Sequence, residues 1–311
     1  MKRKRRIFWW LLAGPLVVLT AIILEAYPFL AINRPSGGEV LVVEGWMEPV
    51  ALQEAAQLAQ DSAYAHIYTT GTVRVFAYYL SSGEGIDVEL HDPEQGTVAI
   101  DVSGTNGAGF RLIADRDTLL DMPVTPRPNL YQAILPDAVT RVRVEAWTIH
   151  MDPGTPEIFV GHMSINEENI NFLQRNSQFT FPNTPSRPAW PTYAQSARDQ
   201  LIELGLSPDR ITAVPAYGKP RSRSWGNAHA FAEQAGKDGI TAFDVATVGV
   251  HARRSRDLFQ AACGPSVAVG VVSLTDPHCT KANWWHTFRG WFTVLKEVVG
   301  APEVQAVEIT R

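Results

Sequence analysis

A change of period near residue 72 constrains the fold more than any other feature of this 311-residue chain. From Thr72 to about Ile170 helical spacing is missing, and short alternating runs take its place at 73–80, 86–91, 97–102, 109–113, 129–135, 139–147 and 157–165. Turn-forming stretches separate them: Ser81 to Gly85, Asp92 to Gly96 and Thr125 to Asn129. Such spacing predicts an antiparallel β-sandwich over 72–174. On either side the grammar is βαβ. Glu39 to Val43 reads as a strand, 48–60 as a helix and 65–70 as a strand stopped by Gly71. After the Pro-rich bridge 181–191, helices at 193–204, 225–235, 252–262 and 284–299 alternate with strands at 210–214, 245–250 and 266–273. The expected fold class is α/β. A doubly wound, mainly parallel, Rossmann-like sheet built from 39–71 plus 175–300 is interrupted by the inserted sandwich.

The N-terminus adds a further expectation. Met1 to Arg6 carries five positive charges, and Ile7 to Leu24 holds none before Glu25. A run of that length is just sufficient for one transmembrane helix, with Trp9 and Trp10 at the interface and the basic tip left in the cytoplasm. Residues 1–32 are therefore expected to be an uncleaved single-pass anchor in a bacterial inner membrane. The bulk of the chain would then be periplasmic or extracellular. Two cysteines, Cys263 and Cys279, lie on either side of a strand that spans more than a disulfide can, so pairing between them is disfavoured. The net charge is −5 and the basic residues form local clusters with no broad stripe, which argues against a nucleic-acid partner.

Chemistry concentrates in Asp244 to Phe259. A β-branched run stops at His251, and arginines follow at 253, 254 and 256. The carboxyl end of a parallel strand beside a helix N-terminus is where open α/β sheets take ligands and where anions are favoured. A solvated basic helix face is the competing reading. Glu44 with Gly45 closes the first strand at the same edge, where a carboxylate serves as base or hydroxyl acceptor. Arg223 and Ser224 precede another helix; Ser224 is the expected N-cap, and Arg223 a second anion contact. Trp284, Trp285, His286 and Trp291 are expected to pack in the core, with sugar stacking the other role for any ring that is exposed. No Walker loop, G-x-S-x-G, H-E-x-x-H or cysteine zinc pattern occurs, so no cofactor or metal is implied by motif.

The segments LVVEGW (41–46), IYTTG (67–71), YAQSARDQLIELGLSPDRITAVPA (193–216), RSRSWGNAHA (221–230), TVGVHARRSRDLF (247–259) and NWWHTFRGWFTVLKE (283–297) together resemble the YdcF/SanA/ElyC-like family. The resemblance implies an α/β fold and a role in bacterial envelope or surface-barrier maintenance, and it leaves the reaction open. It selects Gly71, Tyr193, Ser196, Ser224, Asn227, His251 and Arg254 as counterparts of the family's ligand-side residues. The inserted segment more loosely resembles xylan-binding-type carbohydrate-binding modules, through its strand number and FVGHMSIN (159–166).

Two functions are expected from different classes. In the first, an envelope enzyme uses Glu44 and His251 as a catalytic pair. Gly45, Gly71, Tyr193, Ser196, Arg223, Ser224, Asn227 and Arg254 bind an anionic or phosphorylated metabolite such as a lipid-linked sugar. In the second, a non-catalytic protein recognises polysaccharide through the sandwich, with Tyr79, Tyr131 and Trp147 as candidate stacking rings. Alternation sends neighbouring residues to opposite faces, so some of these rings belong to the core.

Overall fold

The computed structural model describes residues 14, 17, 20–148, 157–217 and 222–300. In chain order the elements are α1 (20–30), β1 (Val40–Glu44), α2 (Pro49–Asp61), β2 (His66–Thr72), β3 (Tyr78–Leu80), β4 (Gly85–Gly104), β5 (Ala108–Ala114) and β6 (Asp117–Pro123). There follow β7 (Asn129–Thr148), β8 (Ile158–Ile165), β9 (Glu168–Asn169), α3 (Ile170–Leu173), β10 (Gln174–Thr180), β11 (Arg187–Pro188), α4 (Tyr193–Glu203) and β12 (Ile211–Ala216). The last are α5 (Arg223–Asp238), β13 (Ala242–Val248), α6 (Ala252–Cys263), β14 (Ala268–Leu274) and α7 (Phe288–Gly300). The chain divides into two compact units. One comprises Met1–Gly71, Ala197–Ala216 and Pro220–Arg311, and the other Thr72–Ser196 with Tyr217–Lys219.

The first unit is built on a five-stranded sheet of order β12-β2-β1-β13-β14, in which β1 pairs in parallel with β2 and β13, and β13 with β14. Strand alternation separates its two faces. Leu41 and Val43 point to the cluster that includes Ala51, Leu52 and Ala55 of α2 and Leu201 of α4. Val42 and Val245 point to the cluster with Phe231 of α5 and Leu258 and Phe259 of α6. The helices form for local reasons as well. Pro49 occupies the first turn of α2, and Ser222 caps α5 by accepting from the Trp225 amide. α5 stops at Gly239, whose φ of 67° is left-handed and closes the helix at little cost. Ser222, and not the expected Ser224, is thus the cap; Ser224 is buried inside the first turn.

The second unit is a single nine-stranded sheet with the path β11-β10-β4-β7-β5-β6 and with β3, β8 and β9 joined through β8 to β4. Its interior holds Phe76, Tyr78, Val98, Ile100, Phe110 and Val144, all buried. The expected fold class is corrected here. The molecule is a mixed, sheet-rich fold that combines a five-stranded parallel sheet with a larger, continuous antiparallel sheet, in place of the expected doubly wound domain with a two-sheet insertion. The physical reason lies in β4 and β7, each twenty residues long. Sequence reading breaks each of them into two strands. Asp92 to Gly96 looks like a turn, yet it is an irregularity within one strand, with register shifts between Glu89 and Glu94 and between Glu94 and Gly96. Pro93 lacks the N–H that a regular ladder needs, and a bulge accommodates it without ending the strand.

The transmembrane expectation for 7–24, and the inner-membrane localisation that rests on it, is corrected as well. Among the described residues no helix is long and apolar enough to cross a membrane. Most of the run lies outside the described residues. In the part that is described, α1 sets Ile23, Ala26, Tyr27 and Leu30 at helical spacing against Val250, Cys279, Trp284 and Val294. That face is spent on packing within the first unit. Both cysteines are free.

Candidate functional site

The order of the five-stranded sheet fixes where a ligand site is expected. Counting only the strands of this sheet along the chain, β1, β2 and β12 extend in one direction and β13 and β14 in the other, so the strand order reverses between β1 and β13. Ligands of open α/β sheets bind at the carboxyl ends of the strands at that reversal. Glu44 is the last residue of β1, is fully buried and is in register with Thr70 of β2. Val43 pairs with Ala246, so Thr247 of β13 continues the row on the other side. Thr70, Glu44 and Thr247 share the parity of Val42 and Val245 and therefore face α5 and α6.

Both helices answer that row with polar side chains. Ser255 of α6 donates its hydroxyl to Glu44 Oε2 at 2.7 Å, and the Asn227 amide of α5 reaches Glu44 Oε1 at 3.5 Å. The hydroxyls of Thr70 and Thr247 and the amide oxygen of Asn227 are buried without a hydrogen-bond partner among the described residues. Gly45 is buried and its N–H bonds Thr70 O at 2.7 Å, which locks β1 to β2 at this edge. Gly71, the next residue of β2, is likewise buried. The result is a closed polar nest around one carboxylate, suited to hydroxyl or amine groups.

His251 ends a short 3-10 turn, Gly249–His251, that leads into α6. Its Nδ1 lies 2.8 Å from Glu297 Oε1, and the Trp46 ring meets the imidazole edge-on at 5.2 Å. Arg254 bonds the same carboxylate twice, Nε to Oε2 at 2.6 Å and Nη2 to Oε1 at 3.1 Å. Glu297, on α7, is buried. Burial alone would raise its pKa, but the hydrogen bonds and charges of His251 and Arg254 outweigh it and hold the group down to about 2.

The arginines near His251 are engaged within the fold. Arg254 is matched to Glu297. Arg253 donates to Phe29 O and stacks on the Phe29 ring, while Arg256 donates to Val269 O and pairs with Asp257. Arg223 is exposed at the start of α5. Tyr193 and Ser196 belong to the second unit, where Tyr193 lies 5.8 Å from the Arg74 guanidinium. Thr70, Thr247, Ser255 and Glu297 escape sequence reading. The only signal for Glu297 is one acid set among apolar residues of WFTVLKEVV (291–299).

In the second unit the three candidate stacking rings part company. Trp147 is half-buried, with its Nε1 enclosed, and lies over Gly109. Tyr131 packs edge-on against Phe110 at 4.9 Å and donates to Pro123 O at 3.3 Å, which ties it to the core side. Tyr79 is 68% exposed, on β3. It pairs directly with Phe159 of β8, ring centroids 4.9 Å apart, and Phe159 in turn pairs with Ser103 of β4. Asp101 lies one pleat along from Ser103, and the nearby Gly161 leaves the adjoining position of β8 without a side chain. Tyr79, Phe159, Ser103 and Asp101 thus form an outward row with rings at one end and polar groups at the other.

No family model matches this chain, and no curated protein matches it. Among solved structures, limited segments are similar to a glycoside hydrolase family 43 arabinoxylan arabinofuranohydrolase from Bacillus subtilis in complex with cellotetraose. The identity is 12% over 28% of this chain and 20% of that one, with a TM-score of 0.21, so only about a fifth of the enzyme is spanned. A second likeness is to the EclA C-terminal domain, a sugar-binding protein, with 9% identity over 30% of this chain and 78% of that one and a TM-score of 0.22.

Proposed function

We propose that this protein recognises a polysaccharide through its antiparallel unit. The observation that carries the reading is the exposed Tyr79 ring against the half-buried Phe159, in register with Ser103 and flanked by Asp101. An aromatic face covers the apolar C–H surface of a pyranose, and a neighbouring carboxylate and hydroxyl accept from its hydroxyls. The alternative anion-binding function has less support, because Arg254 and His251 are already committed to Glu297. For the first unit we propose membership of the YdcF/SanA/ElyC-like family. The order of the matching segments supports this, as does the location of Glu44 and Asn227 at the strand-order reversal.

The test is binding of the full chain to immobilised polysaccharides, compared with Tyr79→Ala and Phe159→Ala. Loss of the exposed ring should weaken binding about tenfold, the scale of one aromatic contact. A full chain that folds and binds no polysaccharide, or a Tyr79→Ala variant that binds as well as its parent, overturns the reading.

A further inference from the structure

A second surface of the antiparallel unit has the features of a binding trough. One hollow of about 490 Å³ is lined by Glu89, His91, Asp115, Arg116, Arg141 and Arg175 among others. Another of about 230 Å³ is lined by Asp87, Glu89, Arg141, Asn176 and Gln178 among others. Glu89 and Arg141 line both, so the two hollows adjoin. The larger is within the range of small-molecule sites, roughly 300–1,000 Å³.

Strand register builds the floor. Asn176 of β10 pairs with Glu89 of β4, and Glu89 pairs with Arg141 of β7. One pleat away, Gln178 pairs with Asp87. One wall comes from the irregular part of β4 at His91, Asp92 and Pro93. Another comes from the turn at Asp115, whose φ is 48° and whose carboxylate accepts from the Thr140 amide and hydroxyl.

The chemistry of the lining selects the ligand. Arg141 is 3.3 Å from Asp87, and Arg175 is 3.5 Å from Glu89 and donates to His91 O at 3.0 Å. Arg141 and Arg175 are balanced in place, so a phosphate or carboxylate gripped by them would have to displace an acid and would still face Glu89, Asp92 and Asp115. A cation would face three arginines. The surface has an apolar lining only at Leu90 and Pro93, among charged and polar side chains on every side, which is too little to seat a lipid chain. What it does present, at the spacing of a pleat, is alternating donors and acceptors: guanidinium, carboxylate, amide and hydroxyl. Vicinal hydroxyls, each both donor and acceptor, match such a lining. We infer that the Asp87–Glu89–Arg141–Arg175 trough is a second saccharide subsite that takes a neutral, polyhydroxylated glycan chain. The inference rests on the polysaccharide reading above and adds to it both a location and a charge class.

The experiment titrates the full chain with neutral β-1,4- and α-1,4-linked hexasaccharides, polygalacturonate and inorganic phosphate. It uses wild type, Tyr79→Ala, Glu89→Gln, Arg141→Gln and Asn176→Ala. Hydrogen exchange on the wild type is recorded alongside, so that a variant that fails to fold does not remove the test. A neutral hexasaccharide should bind at least about tenfold more weakly to Glu89→Gln and Arg141→Gln, and should protect amides at 87–91 and 174–178. If saccharide binding depends on Tyr79 but neither the trough variants nor those amides respond, the trough is not a subsite and the polysaccharide reading survives. If no saccharide binds the wild type, both fall. Arg141-dependent binding of polygalacturonate or phosphate in preference to the neutral chains overturns the charge class.

Discussion

Replacing Glu297 by Gln tests how α7 is held to the strand ends. In the wild type this buried carboxylate faces His251 and Arg254, and its pKa is lowered from 4.5 to about 2. A carboxyl whose folded pKa lies below its unfolded one binds fewer protons folded than unfolded, so stability rises with pH between the two values. The contribution is therefore complete above pH 4.5 and is lost as pH falls toward 2. The size of the drop corresponds to about 3 kcal/mol. Glu297→Gln removes that contribution and takes from the largely enclosed Arg254 guanidinium its two-point carboxylate contact, a change that costs about 3–5 kcal/mol where pairs are well enclosed. Denaturant unfolding of both proteins at pH 7, 5, 4 and 3 reads the difference directly. The gap should be about 3 kcal/mol or more at pH 7 and should narrow steadily below pH 4.5. A gap under about 1 kcal/mol, or one that is the same at pH 7 and pH 3, would refute the assignment of Glu297 as the counter-charge.

Two further substitutions address the polar nest and the antiparallel core. Ser255→Ala takes from the buried Glu44 its 2.7 Å hydroxyl donor and should lower stability by about 1–3 kcal/mol, read as a lower Tm, whereas Ser255→Thr should retain most of it. An unchanged Tm for the alanine variant means that the hydroxyl is not what satisfies Glu44. At Gly109, an added methyl group would collide with the Trp147 ring and come within 2.6 Å of Met122 O. Gly109→Ala should therefore lose about 1–3 kcal/mol and alter tryptophan fluorescence, and a change within about 0.5 kcal/mol would show that the ring has room to move.

Much of the five-stranded sheet was legible because its strands are short, β-branched and followed by amphipathic helices. That grammar alone put Glu44 at the end of β1; it ran the later strand to 250, whereas β13 stops at Val248 and His251 follows in a 3-10 turn. The partners of those residues were hidden because they come from far along the chain: Ser255 is 211 residues from Glu44, and Glu297 is 46 from His251 by residue number. A lone Ser or Glu on a helix carries no local mark of what it will face. Charge was also misleading at residues 253–256. Three arginines in one turn resemble an anion clamp, yet helical geometry sends each to a different neighbour: Phe29, Glu297 and Asp257. The long strands β4 and β7 were misread for another reason. Pro, Gly and Asp signal turns statistically, but a bulge uses the same residues and keeps the strand going.

The point where the chain enters the antiparallel unit and the point where it leaves lie side by side. Val73 bridges Thr192, and the Arg74 amide bonds Pro191 O at 2.8 Å. Before that unit forms, β2 and β12 are separated by a free excursion from Thr72 to Ser196, and closing a loop of that length costs about 4 kcal/mol of chain entropy. Once the antiparallel unit has folded and clamped its own ends, the excursion counts as one short link, and what is left to close is the segment from Thr192 to β12. The consequence is entropic: with the antiparallel unit in place, β2 and β12 have to meet across a much shorter loop than their separation along the chain implies.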